Sequence, residues 1–111
     1  IIEQAIAKFD CNADQLIAYL GPCIGPQAFE VGAEVKQAFI DKNPQDEHCF
    51  ISHSDKYLAN LSKLAENRLT NCGVKEFYTA GRCTFSHQND YFSYRRDGIT
   101  GRMASFIWIL A

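Results

Sequence analysis

The chain has 111 residues, 47% of them apolar, which is enough for one domain with a buried core. Its formal net charge of −2 gives no general electrostatic footprint for nucleic acid, so a basic face would have to be local. No apolar run approaches the roughly 18 residues of a membrane span, and the start lacks the features of a signal peptide. We expect a cytoplasmic protein that binds neither nucleic acid nor membrane.

The first half of the chain predicts two helices separated by a strand. Residues 2, 5, 6 and 9 are apolar at helical spacing, which predicts a helix. No capping residue precedes them, so the sequence either starts inside a helix or has lost its first residues by processing. Residues 15–20 form a short apolar run of strand length, and residues 21–26 (GPCIGP) form a glycine–proline loop. Residues 30–40 predict an amphipathic helix, and residues 41–54 are polar and irregular.

The second half predicts one further helix and three strands. Ser54 is suited to cap a helix with an apolar stripe over residues 58–69, and Gly73 fits the position just after its end. Residues 75–79 predict a strand, and residues 81–89 a loop. Residues 91–95 and 103–110 predict two more strands, joined by a hairpin turn. This order predicts a single α/β (α+β) domain over residues 1–111, with helices packed on a mixed sheet.

Five cysteines and three histidines are the candidate metal or redox residues. The cysteine number is odd and no C-x-x-C pair occurs, which does not favour a disulfide framework and fits a reducing compartment. No zinc-finger spacing is present, so the histidines are interpreted as ordinary loop residues. These residues are Cys11, Cys23, Cys49, Cys72, Cys83, His48, His53 and His87.

The segment YRRDGITGR concentrates positive charge beside the predicted hairpin. A guanidinium presents a fork of donors suited to phosphate or carboxylate. Alternation in a strand places Ser93 and Arg95 on one face and Tyr94 and Arg96 on the other, so we expect one arginine to point inward. The alternative is a solvated hairpin tip with an internal pair between an arginine and Asp97.

The loop GPCIGP is a second candidate. Gly21 and Gly25 permit close backbone approach, and a loop between a strand and a helix is a common ligand position in α/β proteins. The alternative is a rigid turn. Cys23 could act as a nucleophile, although a small buried cysteine is the more common role. Arg82, Cys83 and Thr84 follow a predicted strand end, a favoured place for site residues, which on its own is a weak signal.

Four segments together resemble one known family: YLGPCIGPQAFEVGAEV, DKYLANLSKLAENRL, GRCT and YFSYRRDGITGRMASFIWI. They are similar to the C-terminal half of the YfiH-type laccase-domain proteins, in the same order and over essentially the whole chain. Tyr91 stands where the family usually has phenylalanine. The resemblance implies a zinc-dependent purine nucleoside phosphorylase with adenosine deaminase side activity. The family's older description implies a copper-dependent polyphenol oxidase, and a non-catalytic interaction module is a third alternative.

The resemblance also implies that part of the active site lies elsewhere. The family's zinc ligands are two histidines and a cysteine of the N-terminal half, and its HAGW motif is not in this sequence. We therefore expect a C-terminal fragment of a protein about twice as long, with no metal ligands or known catalytic residues of its own. Zinc, or alternatively copper, would belong to the full-length protein. The fragment would pair with the missing half or self-associate.

The resemblance finally implies which residues of this chain contact the substrates, a purine nucleoside and phosphate. The glycine–proline loop and the SYRRD segment lie near the family's metal pocket, and Arg82 or Arg95 would bind the anion. The expected pocket residues are Gly21, Ile24, Gly25, Arg82, Ser93 and Arg95.

Overall fold

A computed structural model describes residues 1–110 as helices combined with a parallel and an antiparallel sheet. This confirms the predicted mixed α/β class. Over these residues the α-helices are α1 (Ile2–Ile6), α2 (Ala33–Lys42), α3 (Leu61–Asn71) and α4 (Tyr94–Asp97). The strands are β1 (Ile17–Leu20), β2 (Glu30–Val31), β3 (Phe50–His53), β4 (Lys56–Ala59) and β5 (Glu76–Thr79), and 3-10 helices span Ala13–Gln15 and Pro44–Cys49.

Strands β1 and β5 form a parallel pair in which Leu20 lies opposite Thr79. Because the strands are parallel, their carboxyl ends meet at the same edge, and the loops that follow both strands start side by side. The Ala80 N–H donates to the Leu20 carbonyl at 2.9 Å. Further on, an isolated parallel bridge joins Cys23 to Cys83. The two loops thus stay in contact beyond the sheet.

The antiparallel sheet has the strand order β2-β4-β3 and carries the main apolar core. Phe50 lies opposite Ala59 in the β3–β4 pair, and both are buried. Helix α3 adds Leu64 to this cluster, and Phe39 of α2 packs against it. Burial of these side chains holds α2 and α3 on one face of the sheet.

Strand pairing explains why two predicted helix boundaries are wrong. Residues 30 and 31 belong to β2 and pair with Leu58 and Tyr57, so helix α2 starts only at Ala33. Leu58 lies in β4 rather than in the next helix, which starts at Leu61. The cap of α3 is therefore Asn60, whose side-chain oxygen accepts from the Lys63 N–H at 3.0 Å.

Ser54 instead lies between β3 and β4 with a φ of 54°, and residues 41–54, predicted as irregular, contain a 3-10 helix and β3. At the other end of α3 the prediction is confirmed. Gly73 has a φ of 93°, in the left-handed region where glycine avoids the Cβ penalty. The Val74 N–H returns to the Leu69 carbonyl at 3.0 Å, which closes the helix end.

The predicted C-terminal hairpin is wrong. Residues 91–95 contain no strand, because the Ser93 hydroxyl accepts from the Arg96 N–H at 3.3 Å and starts the short helix α4. Residues 103–110 form no regular structure and are exposed, with Ile107 99% and Ile109 96% accessible. An apolar run needs a neighbouring strand to become a buried one, and the sheets over residues 1–110 do not pair with it.

A buried charged group fixes α3 to the 3-10 helix before β3. Asp46 is fully buried and accepts from Arg68 at 2.6 Å and from the Asn67 side chain at 2.9 Å. Glu3 of α1 adds an outer contact to Arg68 at 3.3 Å.

Within residues 1–110, no helix has the length and apolar character to cross a membrane.

Candidate functional site

A cavity of about 310 Å³ opens at the carboxyl ends of β1 and β5. One wall is the glycine–proline loop, residues 21–26, and a second is the cysteine loop, residues 81–84. The third wall is the start of α3. We call this space the first cavity; its lining includes Gly21, Cys23, Gly25, Asn60, Ser62, Lys63, Glu66, Arg82 and Cys83.

Cys83 is the thiol of the first cavity with the most hydrogen bonds. Its Sγ accepts from the Gly25 N–H at 3.1 Å and from the Ser86 hydroxyl at 3.5 Å. Partial burial alone would raise the pKa of Cys83, but the hydrogen bonds from the Ser86 side chain and from the N–H groups of Gly25, Ser86 and Phe85 lower that pKa below its ordinary value. The cysteine loop therefore favours a thiolate at this position.

Gly25 is required by this close approach of the two loops. A Cβ at position 25 would lie 3.1 Å from the Cys83 Cβ and 3.2 Å from its Sγ, closer than ordinary van der Waals contact. A Cβ at Gly21 would meet nothing within 4 Å. The close contact with Cys83 thus requires a glycine at position 25 of the glycine–proline loop, whereas position 21 faces open space.

Two cationic side chains line the first cavity. Arg82 donates to Asp90 at 2.6 Å, and its guanidinium lies 5.7 Å from the ring centre of Tyr91. Lys63 lies 3.3 Å from the carboxylate of Glu66 on the same helix. Both cations are 47% exposed, so each pair is weak and can exchange for an incoming anion at little cost.

A second cavity, also about 310 Å³, lies where the other face of the loops meets α4. Ile24, Ser93 and Arg95 line it, together with Phe29 and Thr84. The Arg95 guanidinium lies 5.4 Å from the Phe29 ring centre and donates to the Glu30 carbonyl at 2.6 Å. This second cavity combines an aromatic ring with a cation.

The six expected pocket residues are therefore divided between two cavities. Gly21, Gly25 and Arg82 line the first, whereas Ile24, Ser93 and Arg95 line the second. Alternation explains the division within the glycine–proline loop, where Ile24 points to the face opposite that of Gly25, whereas Ser93 and Arg95 lie at the start of α4. The Ser93 hydroxyl already caps α4.

Arg96 is the inward-pointing arginine that the sequence predicted without identifying. It donates to the carbonyls of Thr84 at 2.9 Å, Phe85 at 3.0 Å and Tyr91 at 3.0 Å. It also pairs with Asp97, and its hydrogen bonds hold the pKa of that carboxyl below the ordinary value. Arg96 thus ties α4 to the end of the cysteine loop, and the predicted internal arginine–Asp97 pair is present as well.

The start of α3 contributes residues that the sequence did not indicate. Asn60, Ser62, Lys63 and Glu66 line the first cavity. Ser62 also contacts Cys23, with its Oγ 3.5 Å from the Sγ. No spacing along the chain connects these residues to the two loops, since Cys23 and Ser62 are 39 positions apart, so only the fold brings them together.

The donor groups of the chain do not fit the zinc site implied by the resemblance. Among residues 1–110, no three histidine, cysteine, aspartate or glutamate side chains are grouped so that they could hold a metal ion. Cys23 and Cys83 are neighbours, but a structural or catalytic zinc needs at least three protein ligands.

A parallel strand pair carrying two apposed loops, beside a helix-covered antiparallel sheet, defines a mixed α/β domain. The family model described as "Multi-copper polyphenol oxidoreductase laccase" matches residues 1–110. The chain belongs to this laccase-domain family, which confirms the resemblance read from the motifs.

The curated relatives of the chain carry a phosphorylase name. An Escherichia coli protein named "Purine nucleoside phosphorylase YfiH" is 47% identical over 110 residues, which are 99% of this chain and 45% of that protein. A Haemophilus influenzae protein named "Purine nucleoside phosphorylase" is 40% identical, over 97% of this chain and 46% of that protein. The chain thus spans less than half the length of these relatives.

Solved structures show the same fold. A crystal structure of a Neisseria meningitidis protein matches 87% of this chain and 40% of its own, with a TM-score of 0.84 and 39% identity. A Bacillus licheniformis YfiH structure matches with a TM-score of 0.77 at 23% identity, which supports the fold alone.

Proposed function

We propose that this chain forms part of a purine nucleoside phosphorylase and supplies one wall of its substrate pocket. The observation that carries the proposal is the 47% identity to the E. coli phosphorylase over 99% of the chain. Both loops of the first cavity lie inside that matched region. The site chemistry agrees, because two cations and a glycine backbone face the same space.

In this reaction an oxygen of phosphate forms a bond to the anomeric carbon of the ribose while the bond from that carbon to the purine nitrogen breaks. The purine leaves and takes up a proton, and the products are free base and ribose 1-phosphate. Arg82 and Lys63 would bind the phosphate by charge-assisted hydrogen bonds and hold it near the sugar. Arg95, beside the Phe29 ring, is the alternative anion site, in the second cavity.

The metal and the remaining catalytic groups belong to the whole protein in this proposal. Zinc, or alternatively copper, would be held by residues outside positions 1–110, because the described donors do not form a metal site. Zinc commonly activates a water molecule, which is the chemistry that an adenosine deaminase side activity requires. Pairing with a counterpart of the N-terminal half of these relatives would complete the pocket in the cytoplasm.

The proposal is tested by the kinetics of a hybrid in which the N-terminal half of the E. coli relative precedes this chain. We expect Arg82→Ala and Lys63→Ala each to raise the KM for phosphate about tenfold or more, with a smaller effect on the KM for inosine. Arg102→Ala is the matched control, since Arg102 is exposed and donates to the nearby carbonyls of Thr100 and Gly101. If all three variants keep the parent KM for phosphate, the first cavity is not the phosphate site.

The family description favours one second candidate, copper-dependent oxidation of phenols. The chain has three histidines, fewer than a multicopper centre requires. This candidate would be supported if the phenol-oxidising activity of the hybrid and tightly bound copper elute together in gel filtration. Oxidation only with copper added in excess would reject it.

A further inference from the structure

We propose that Cys83 and Cys23 form an oxidisable thiol pair, in which a hydroperoxide converts Cys83 to a sulfenic acid and Cys23 then closes a disulfide across the first cavity. This inference does not depend on the phosphorylase proposal. It concerns a modification site made of two residues 60 positions apart (83 − 23) that the fold places side by side.

The strand register brings the two cysteines within disulfide reach. Cys23 and Cys83 are partners in a parallel bridge, and the Thr84 N–H donates to the Cys23 carbonyl at 2.9 Å. Neighbouring strands lie about 4.8 Å apart, and disulfides join Cα atoms about 4.4–6.8 Å apart. Bridge partners also point their side chains to the same face, and both side chains line the first cavity. A rotation about the Cα–Cβ bonds would then suffice to join the sulfurs.

The surroundings of Cys83 favour attack on a peroxide. The Gly25 N–H and the Ser86 hydroxyl donate to its Sγ and stabilise the negative sulfur that reacts. The lowered pKa of Cys83 agrees with this geometry. Cys49 is the contrast, because it is only 2% exposed and burial raises its pKa. Cys83 is thus an activated, partly exposed thiol, whereas Cys49 is buried and inert.

The chemistry balances in two steps. In the first, the Cys83 thiolate attacks one peroxide oxygen, the O–O bond breaks, the sulfur is oxidised by two electrons, and hydroxide leaves and takes a proton to become water. In the second, the Cys23 sulfur attacks the sulfenic sulfur, the S–O bond breaks, and the oxygen leaves as a second water with the Cys23 proton. The net result is one disulfide and two waters for each hydrogen peroxide.

The disulfide would change the site that the two loops build. Cys83 would turn away from the Gly25 N–H, and the bridge would occupy space between Gly25 and Ser62. Reduction by a cytosolic thiol would restore the cavity. Disulfides of reducing compartments are typically transient and redox-sensing, in keeping with such a device.

The test is a peptide map of this chain after stoichiometric hydrogen peroxide, blocking with iodoacetamide and trypsin digestion. We expect peptide 9–36 linked to peptide 83–95, with the summed mass less two hydrogen atoms, and loss of the link with dithiothreitol. Peptide 9–36 also contains Cys11, so fragmentation between Cys11 and Cys23 assigns the linked residue.

Two variants separate the steps. Cys23→Ser should abolish the link and let Cys83 accumulate as the dimedone adduct of its sulfenic acid. Cys49→Ser, the matched control, should form the link to the same extent as the unaltered chain. The proposal is overturned if Cys83 stays fully alkylatable after peroxide, if it is oxidised without joining Cys23, or if it joins another cysteine. The map of the unaltered chain decides among these outcomes even if a variant fails to fold.

Discussion

The backbone N–H of Gly25 donates a 3.1 Å hydrogen bond to the Sγ of Cys83, and this bond joins residues 58 positions apart. It links the loop after β1 to the loop after β5 at the mouth of the first cavity. The absence of a side chain on Gly25 is what allows the bond, because a Cβ there would lie 3.2 Å from the sulfur. The candidate site therefore depends on this contact.

We expect Gly25→Ala to destabilise the chain by about 1 kcal/mol. Overpacking costs about 1–3 kcal/mol, and the loss of backbone freedom in the unfolded chain offsets about 0.4–1 kcal/mol of that. Gly21→Ala, which meets open space, should be neutral or slightly stabilising. Urea titration followed by circular dichroism measures both. Equal stabilities for the two variants would show that the loops separate without cost.

Arg96 should be the most important arginine for stability around the site. Arg96→Ala leaves the carbonyls of Thr84, Phe85 and Tyr91 without their charged donor, and we expect a loss of about 2 kcal/mol. Arg96→Lys should not restore it, because a single ammonium cannot reproduce the guanidinium fork. Thermal unfolding of both variants measures the effect. Arg102→Ala, at an exposed position, should change stability by less than about 0.5 kcal/mol, and a loss equal to that of Arg96→Ala would contradict this account.

Removing Asp46 should be more costly still. Asp46 is fully buried and pairs with Arg68, whose side chain is 13% exposed, so Asp46→Ala leaves a nearly buried cation with only the exposed Glu3 as a carboxylate partner. Breaking such a pair costs about 3–5 kcal/mol. Glu3→Ala, which removes the exposed outer contact of Arg68, should cost at most about 1 kcal/mol. Denaturant unfolding compares the two, and similar losses would contradict the assigned burial.

The ionisation of Cys83 should make stability depend on pH in a definite direction. Its pKa is lowered in the folded chain, so the folded state releases the proton at a lower pH than the unfolded state does. The stability difference between the unaltered chain and Cys83→Ser should therefore grow as pH rises from the folded pKa to the ordinary thiol pKa of about 8.5, and stay constant above it.

The measurement is urea unfolding of both proteins from pH 6 to pH 9.5 under a reducing agent. Cys49 has a raised pKa and works in the opposite direction, but it is present in both proteins and cancels in the difference. A difference that is flat or falls with pH would show that Cys83 is not stabilised as a thiolate.

The exposed apolar end of the chain should govern association rather than folding. Five successive apolar side chains are between 71% and 99% exposed: Phe106, Ile107, Trp108, Ile109 and Leu110. Contiguous exposed apolar surface of this kind marks an interaction site. We expect truncation after Ser105 to change the free energy of unfolding by less than about 0.5 kcal/mol and to reduce self-association in sedimentation velocity. A large loss of stability would mean that this segment packs on the domain.

The sequence was sufficient at two strands and at one helix end. Residues 15–20 and 75–79 were predicted as strands and contain β1 and β5, and Gly73 ends α3 as its conformational freedom predicts. The same reasoning failed where long-range pairing prevailed. Glu30 lies in the predicted helix over residues 30–40 but pairs with Leu58 in the sheet, and this contact exists only in the folded chain.

The site was predictable to a similar extent. The glycine–proline loop and Arg82, which the sequence singled out because glycine spacing and a strand end are local signals, line the first cavity. Lys63 and Ser62 reach the same cavity through the packing of α3, and nothing in the pattern of that helix indicates it. The apolar run at residues 103–110 resembles a buried strand because hydropathy records what a segment can bury, not whether a neighbour is present.

Chromatography of the products formed by the hybrid of this chain with the E. coli N-terminal half is the most direct test of the proposed function. The hybrid is incubated with inosine, with and without phosphate, and the intact E. coli relative serves as the active control. We expect hypoxanthine and ribose 1-phosphate in equal amounts, only with phosphate, at a rate proportional to protein. A monodisperse, cooperatively unfolding hybrid that releases no base, or that releases base with free ribose and without phosphate, would contradict the proposal.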